Sequence, residues 1–292
     1  MVGLPGMREL SGKIKNALMS ATIPNLPKKA MSRAVGHLTQ VIWPAPIARW
    51  SVQAFARYYH LDMTEAELSL SQYHSISELF TRRLKPGLRA IGPGIVHPVD
   101  GMLTQAGRLR DGTLVQAKGK SYTLSSLLHD ELLGQSLRGG FYLTYYLCPT
   151  DYHRVHAPLD GEIVSARHIP GGLWPVNQWS VERVENLFAV NERVIVNLRT
   201  EFGSVAAVLV GATNVGQISV SFDPEIRTNV ARVREDVVRK YDSNIAIAKG
   251  VELGVFHMGS SVIMLYPSAV EGQFKGQVPK AGRVRMGAPL EF

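Results

Sequence analysis

Apolar residues change their spacing near residue 90. Before it they recur at helical intervals. Met31, Ala34, Val35, Leu38, Val41 and Ile42 share one face, and Arg33, His37 and Gln40 lie off it. A weaker stripe runs through Leu10, Ile14, Ala17, Leu18 and Ala21. Pro24, Pro27, Pro44 and Pro46 break these segments, and a further helix is predicted over residues 75–84. After residue 90 the apolar runs are short. Residues 141–147, 205–210 and 261–266 are almost wholly apolar or aromatic, and Val194, Val196 and Leu198 alternate with Ile195, Asn197 and Arg199. Gly, Pro, Asn and Asp gather between them at 98–101, 149–151, 158–161 and 170–172. Many short strands with turns between them predict an α+β chain. N-terminal amphipathic helices (residues 1–90) pack on a mainly antiparallel β sandwich or barrel-like core (residues 91–292). The order of helices first and strands after excludes a doubly wound α/β sheet.

Composition narrows the class. The chain has 292 residues, of which 45% are hydrophobic and 19% charged, so it is not disordered. The single Cys148 excludes an intrachain disulfide and a cysteine-based zinc site. No apolar run reaches the roughly 18 residues of a spanning helix, and no secretory signal pattern is seen at the start.

The net charge of +8 is concentrated at one end. Residues 1–60 carry Arg8, Lys13, Lys15, Lys28, Lys29, Arg33, Arg49 and Arg57 against Glu9 alone. A basic arm on a nearly neutral body meets an anionic surface. Zinc-finger spacing, aromatic RNA-binding runs and arginine-rich blocks are missing, so no nucleic-acid partner is expected. The amphipathic stripes, with Trp43 and Trp50 beside them, suit a bilayer surface. The same pattern also describes a targeting peptide or ordinary core-facing helices.

Several motifs fail on inspection. Gly119-Lys120-Ser121 looks like the end of a phosphate loop, but Leu114 stands where that loop needs glycine. No serine sits in a G-x-S-x-G elbow. His153-x-x-His156 has no acid or thiol at ligand spacing, so no metal is expected. Three segments remain: His97-Pro98-Val99-Asp100-Gly101, residues 151–158 (DYHRVHAP), and residues 256–263 (FHMGSSVI). Each has a plain reading alone: a turn, structural histidines, and a glycine–serine turn. Together Asp100, His156 and Ser260 are the parts of a charge-relay triad.

These segments, with residues 73–89 (YHSISELFTRRLKPGLR), 118–128 (KGKSYTLSSLL), 191–194 (NERV), 210–216 (VGATNVG) and 250–263 (GVELGVFHMGSSVI), resemble the bacterial phosphatidylserine decarboxylase proenzymes over most of the chain. Many members have Gly-Ser-Thr where this chain has Gly259-Ser260-Ser261, a change that keeps the hydroxyl.

The resemblance implies a self-processing enzyme. His156, oriented by Asp100, takes the proton of the Ser260 hydroxyl, which attacks the carbonyl of Gly259. The chain is cut between Gly259 and Ser260 into residues 1–259 and 260–292, and Ser260 becomes a covalent pyruvoyl group. That group forms a Schiff base with phosphatidylserine and serves as electron sink while CO2 leaves, giving phosphatidylethanolamine. By motif position His153 transfers a proton during decarboxylation, and Val176 lines the substrate pocket. The implied partners are phosphatidylserine, an anionic membrane surface, the chain's own small pyruvoyl fragment and a second processed protomer. The implied location is peripheral, on the cytoplasmic face of the cell (inner) membrane, where Cys148 stays reduced. Two other readings use the same residues: a serine hydrolase with this triad that never cuts itself, and a non-catalytic lipid-binding module.

Overall fold

The computed structural model describes residues 32, 38, 39, 41, 43–117, 120–176, 178–213, 217–230, 233–257, 260–274 and 277–292. The two amphipathic stripes expected over 10–21 and 31–42 fall almost wholly outside them, as does Gly259.

Helix α1 (Ala45–Tyr58) starts on proline, whose fixed φ suits a first turn, and buries Ala48, Val52 and Ala56. That small-residue face packs on Tyr73 and on Leu79 of α2 (Ile76–Phe80). Helix α2 is shorter than the stretch predicted over 75–84. Ser75 caps it by accepting from the Glu78 amide, and Glu78 in turn accepts from the His74 amide. The chain then turns extended. Leu84 bridges Ala66, and the Glu67 and Lys85 amides donate to the Arg83 and Glu65 carbonyls. Backbone pairing with 65–67 takes the hydrogen bonds a longer helix would have used. Arg82 is buried and donates to the Thr150 carbonyl at 2.8 Å.

From Gly101 onward the chain is mainly sheet. The strands are β1 (Gly101–Arg108), β2 (Thr113–Ala117), β3 (Lys120–Thr123), β4 (Phe141–Leu147), β5 (Arg154–His156), β6 (Gly161–Ile169), β7 (Arg193–Thr200), β8 (Gly203–Gly211), β9 (Ile218–Val220), β10 (Val237–Ile247), β11 (Glu252–Phe256), β12 (Ser260–Tyr266) and β13 (Gly282–Val284). Eight form one antiparallel sheet in the order β10-β6-β7-β8-β12-β4-β1-β13. Strands β5, β11 and β9 form a second sheet, and β2 pairs with β3. The fold is the α+β, mainly antiparallel sandwich-like form that the sequence predicts. Its eight-stranded sheet stays open, with β10 and β13 at its edges.

Both faces of the large sheet are covered, which is why its middle strands read as unbroken apolar runs. Val205, Ala207 and Leu209 of β8 and Val262 and Met264 of β12 enter one core, shared with β5, β9 and β11. Ala206, Val208, Val210, Ile263 and Leu265 enter the other. The helices α3 (Leu124–Leu128), α4 (Glu131–Ser136), α5 (Gln178–Arg183) and α6 (Leu187–Val190) lie on that second side, and α7 (Glu271–Phe274) follows β12.

Arg193 closes the second core. It is buried, and its guanidinium donates to the carbonyls of Leu127, Ser126, Ala189 and Asn191. Burial pulls it down to about 10, so it remains a cation at neutral pH. It ties α3 and α6 to β7, and four carbonyls lose a donor if it goes. Arg193→Met is expected to lower unfolding free energy by about 3 kcal/mol in urea titration. A loss under about 1 kcal/mol contradicts this account of the tie.

Candidate active site

Backbone hydrogen bonds bring the three sequence motifs together. The His156 amide donates to the Pro98 carbonyl at 2.9 Å, two residues before Asp100. The Phe256 amide donates to the His153 carbonyl at 3.0 Å. Strand β5 pairs with β11, with Glu252 opposite His156 and Val255 opposite Arg154. Strand β12 begins at Ser260, whose Cα partners are Leu147 of β4 and Gly211 of β8. Gly259 and the Ser260 side chain lie outside what is described.

Asp100 sits at the turn into β1. Its Oδ2 accepts from Arg89 Nη2 at 2.5 Å, and its Oδ1 accepts from Arg89 Nε at 3.1 Å and from the Met286 amide at 2.8 Å. The Arg89 side chain is only 6% exposed and also binds Glu65 at 2.6 Å. Its hydrogen bond to Asp100 raises its pKa above the ordinary arginine value.

His156 is buried. Its Nδ1 lies 2.8 Å from the Gly250 carbonyl, which only accepts, so Nδ1 carries the proton. The other nitrogen, Nε2, then accepts from the Tyr152 hydroxyl at 3.0 Å. Burial pushes Tyr152 up to about 12, so that hydroxyl keeps its proton. Burial also lowers His156, while the Gly250 bond, Glu252 and Asp100 raise it. Among the described residues no hydrogen bond joins Asp100 to His156. They are linked through the Pro98 carbonyl and through charge.

His153 is fully buried, with its ring 3.9 Å from that of Phe80. Its Nδ1 donates to the Asp151 carbonyl at 2.9 Å. Its Nε2 is buried with no hydrogen-bond partner among the described residues. Burial holds the ring down to about 3, and Arg82 lowers it further. His153 is therefore neutral at pH 7 with a bare lone pair on Nε2.

Val176 lines a cavity of about 470 Å³ together with Tyr146 and with Ser261, the residue that follows Ser260. A separate polar cleft of about 560 Å³ is lined by four arginines, Arg82, Arg89, Arg283 and Arg285, and by as many acids, Asp100 and Asp151 among them. A smaller recess next to it reaches His156, Glu252, Arg83 and Lys85.

Three contributors were not singled out by the sequence. Tyr152 lies within a recognised motif, four residues before His156, where both sit on one side of a short turn-and-strand segment. Arg89 closes the basic run 82–89 and reads as a surface cation until its two acids are seen. Glu65 carries no sequence signal at all.

Two buried imidazoles, each with its Nδ1 proton held by a backbone carbonyl, lie in motifs stitched to the segment of an arginine-held acid on an antiparallel sheet, an arrangement suited to an α+β enzyme that moves protons. The comparisons sharpen this. The family described as phosphatidylserine decarboxylase matches residues 76–290. A relative from Anaeromyxobacter sp. (strain K), named phosphatidylserine decarboxylase proenzyme, is 44% identical over 284 residues, covering 95% of this chain and 99% of its own. Proteins of the same name from Myxococcus xanthus (strain DK1622) and Brevibacillus brevis (strain 47) are 45% and 39% identical, covering 82% and 94% of this chain and 86% and 97% of theirs. The chain belongs to the phosphatidylserine decarboxylase family, a family of carboxy-lyases.

Buried neutral histidines make stability fall in acid. His97, packed against Tyr145, is pushed down to about 4 by burial, and His153 to about 3. The unfolded chain protonates both as pH falls through about 6.5, and the folded chain does not. Stability is therefore full above that pH and is lost progressively down to about pH 3. Thermal melts should show Tm dropping across this window, with a shallower slope in His97→Gln and in His153→Gln. Equal slopes in all three proteins contradict the assignment.

Proposed function

We propose that the chain decarboxylates phosphatidylserine to phosphatidylethanolamine, using a pyruvoyl group that it makes from its own Ser260. The observation that carries this is the stitching of three distant motifs, Pro98 to His156 and His153 to Phe256, the last of these, Phe256, lying four residues ahead of Ser260 at the start of β12.

The processing step uses the chain's own groups. His156 Nε2 takes the Ser260 hydroxyl proton, with the serine hydroxyl displacing that of Tyr152. The serine oxygen attacks the carbonyl carbon of Gly259, and the 259–260 C–N bond breaks to leave an ester and a free amine. Loss of the Cα proton of residue 260 then breaks its Cβ–Oγ bond and releases Gly259 as a carboxylate. The dehydroalanine left behind takes up water and releases ammonia, giving the α-keto group. Asp100, held by Arg89, supplies negative charge that favours the protonated state of His156 during proton transfer.

The residues present fit a pyruvoyl group at position 260. His153 Nε2 is an unpartnered buried base, and it belongs to a segment hydrogen-bonded to the chain just before Ser260. The pyruvoyl carbonyl supplies the sink for the electron pair left when CO2 departs. His153 Nε2 takes part in proton transfer to the carbon that lost CO2. Its depressed basicity makes the protonated ring a ready donor.

Reaching a lipid headgroup calls for docking on the bilayer. The exposed side of α1 carries Ile47, Trp50 and Tyr58 beside Arg49 and Arg57, with Trp43 just ahead of it. No helix among the described residues is long and apolar enough to cross a membrane. The basic helical region, residues 1–90, is assigned to peripheral docking on an anionic leaflet at the cytoplasmic face, and residues 91–292 to catalysis.

Substitution at three positions tests the reading. Ser260→Ala abolishes both self-cutting and CO2 release from phosphatidylserine while the far-UV spectrum is unchanged. His156→Ala blocks cutting. His153→Ala still cuts, at least in part, and its CO2 release falls about 100-fold or more. CO2 release by Ser260→Ala, or full activity in His153→Ala, overturns the assignment. Uncut wild-type protein whose Ser260 labels with serine-directed probes points to a hydrolase. Liposome binding without CO2 release points to a binding module.

A further inference from the structure

The cavity beside Ser261 has walls with a particular chemistry. Strand β1 carries a bulge: Leu103 pairs with Tyr145 and Gln105 with Thr144, leaving Thr104 as the extra residue. Consecutive strand residues ordinarily face opposite sides, yet Thr104 and Gln105 both line this cavity. Thr104 Oγ1 donates to the Thr144 carbonyl at 3.0 Å, which fixes the bulge. The bulge thus aims an extra polar side chain at a space that an unbroken β1 would leave to alternate residues.

Gln105 is not spent inside the fold. Its Oε1 is buried without a hydrogen-bond partner among the described residues. The other amide of the cavity, Gln116, is saturated: it donates to the Val181 and Val184 carbonyls and accepts from the Leu187 amide. A buried carbonyl oxygen left unpaired is costly, and a ligand N–H relieves it.

The remaining wall favours a cation. Glu182, whose side chain is 14% exposed and whose carboxylate lies 3.7 Å from Arg183 Nη1, contributes an acid, and Tyr146 and Phe188 contribute aromatic rings. None of the described lining residues is Lys, Arg or His. A volume of about 470 Å³ suits a polar headgroup rather than acyl chains. Ser261 forms part of the wall and pairs with Tyr146, so the cavity adjoins the residue that becomes the reactive carbonyl.

We propose that this cavity is the ammonium subsite for the lipid headgroup: Gln105 Oε1 accepts from the substrate's primary amine and orients it, and Glu182 supplies the countercharge. The proposal rests on the decarboxylase reading and adds the group that selects for an amine bearing N–H. Serine and ethanolamine headgroups carry such an amine, and a choline headgroup does not.

The test uses the full-length, self-processed enzyme. CO2 release from dispersed phosphatidylserine is measured with glycerophosphoethanolamine or glycerophosphocholine as competitor. Glycerophosphoethanolamine is expected to inhibit at least tenfold better than glycerophosphocholine. Gln105→Leu is expected to cut itself as wild type does, by intact mass, and to raise both KM and the ethanolamine inhibition constant about tenfold. Gln105→Glu keeps an acceptor and restores both. Should Gln105→Leu fail to fold, Glu182→Gln carries the same comparison, with a smaller rise expected in both constants. Equal inhibition by the two competitors overturns the proposal, as does a Leu defect that Glu does not rescue, or wild-type constants in Gln105→Leu and Glu182→Gln. Failure of the decarboxylase reading shows itself separately, as wild-type protein that releases no CO2, and overturns both.

Discussion

The site depends on where strand β12 sits. It is held between β4 and β8 near the middle of an eight-stranded sheet, and its side chains feed two different cores. A strand so placed cannot shift register by one residue without moving Val262 and Met264 into the core meant for Ile263 and Leu265. The position of Ser260 is therefore fixed by packing rather than by any contact at the site itself. The same lock would hold a fragment beginning at Ser260 in place, β12 through the β4 and β8 ladders and β13 through its pairing with β1.

Around that fixed strand, burial sets the chemistry. His153 and His156 are removed from water and held as neutral bases, each with its Nδ1 proton committed to a backbone carbonyl. That leaves Nε2 as the working nitrogen in both. The two differ in what meets it: a tyrosine hydroxyl for His156, nothing for His153 among the described residues.

Much of this was legible in the sequence. The runs at 141–147, 205–210 and 261–266 became β4, β8 and β12 because a sheet covered on both faces has no polar side to show. The motifs around Asp100, His156 and Ser260 were visible as short strings. Their meeting was not, because it depends on long-range backbone bonds such as Pro98 to His156. The stretch 75–84 misled because helical spacing of apolar residues does not report which partner takes the backbone. Pairing with 65–67 ended that helix at Phe80. Arg89 looked like a surface cation because its acids, Glu65 and Asp100, lie 24 and 11 positions away. Gln105 gave no signal, since a bulge is a property of two strands and not of one.

The central claim is that the backbone ahead of a locked strand rearranges unaided and leaves a reactive ketone at its start. Denaturing mass spectrometry of freshly purified wild-type protein, with and without hydroxylamine, measures this directly. The account predicts two polypeptides, residues 1–259 ending in a free carboxylate and residues 260–292 with a blocked N-terminus, and hydroxylamine adding one oxime to the smaller. A single intact chain of 292 residues that hydroxylamine leaves unchanged contradicts it.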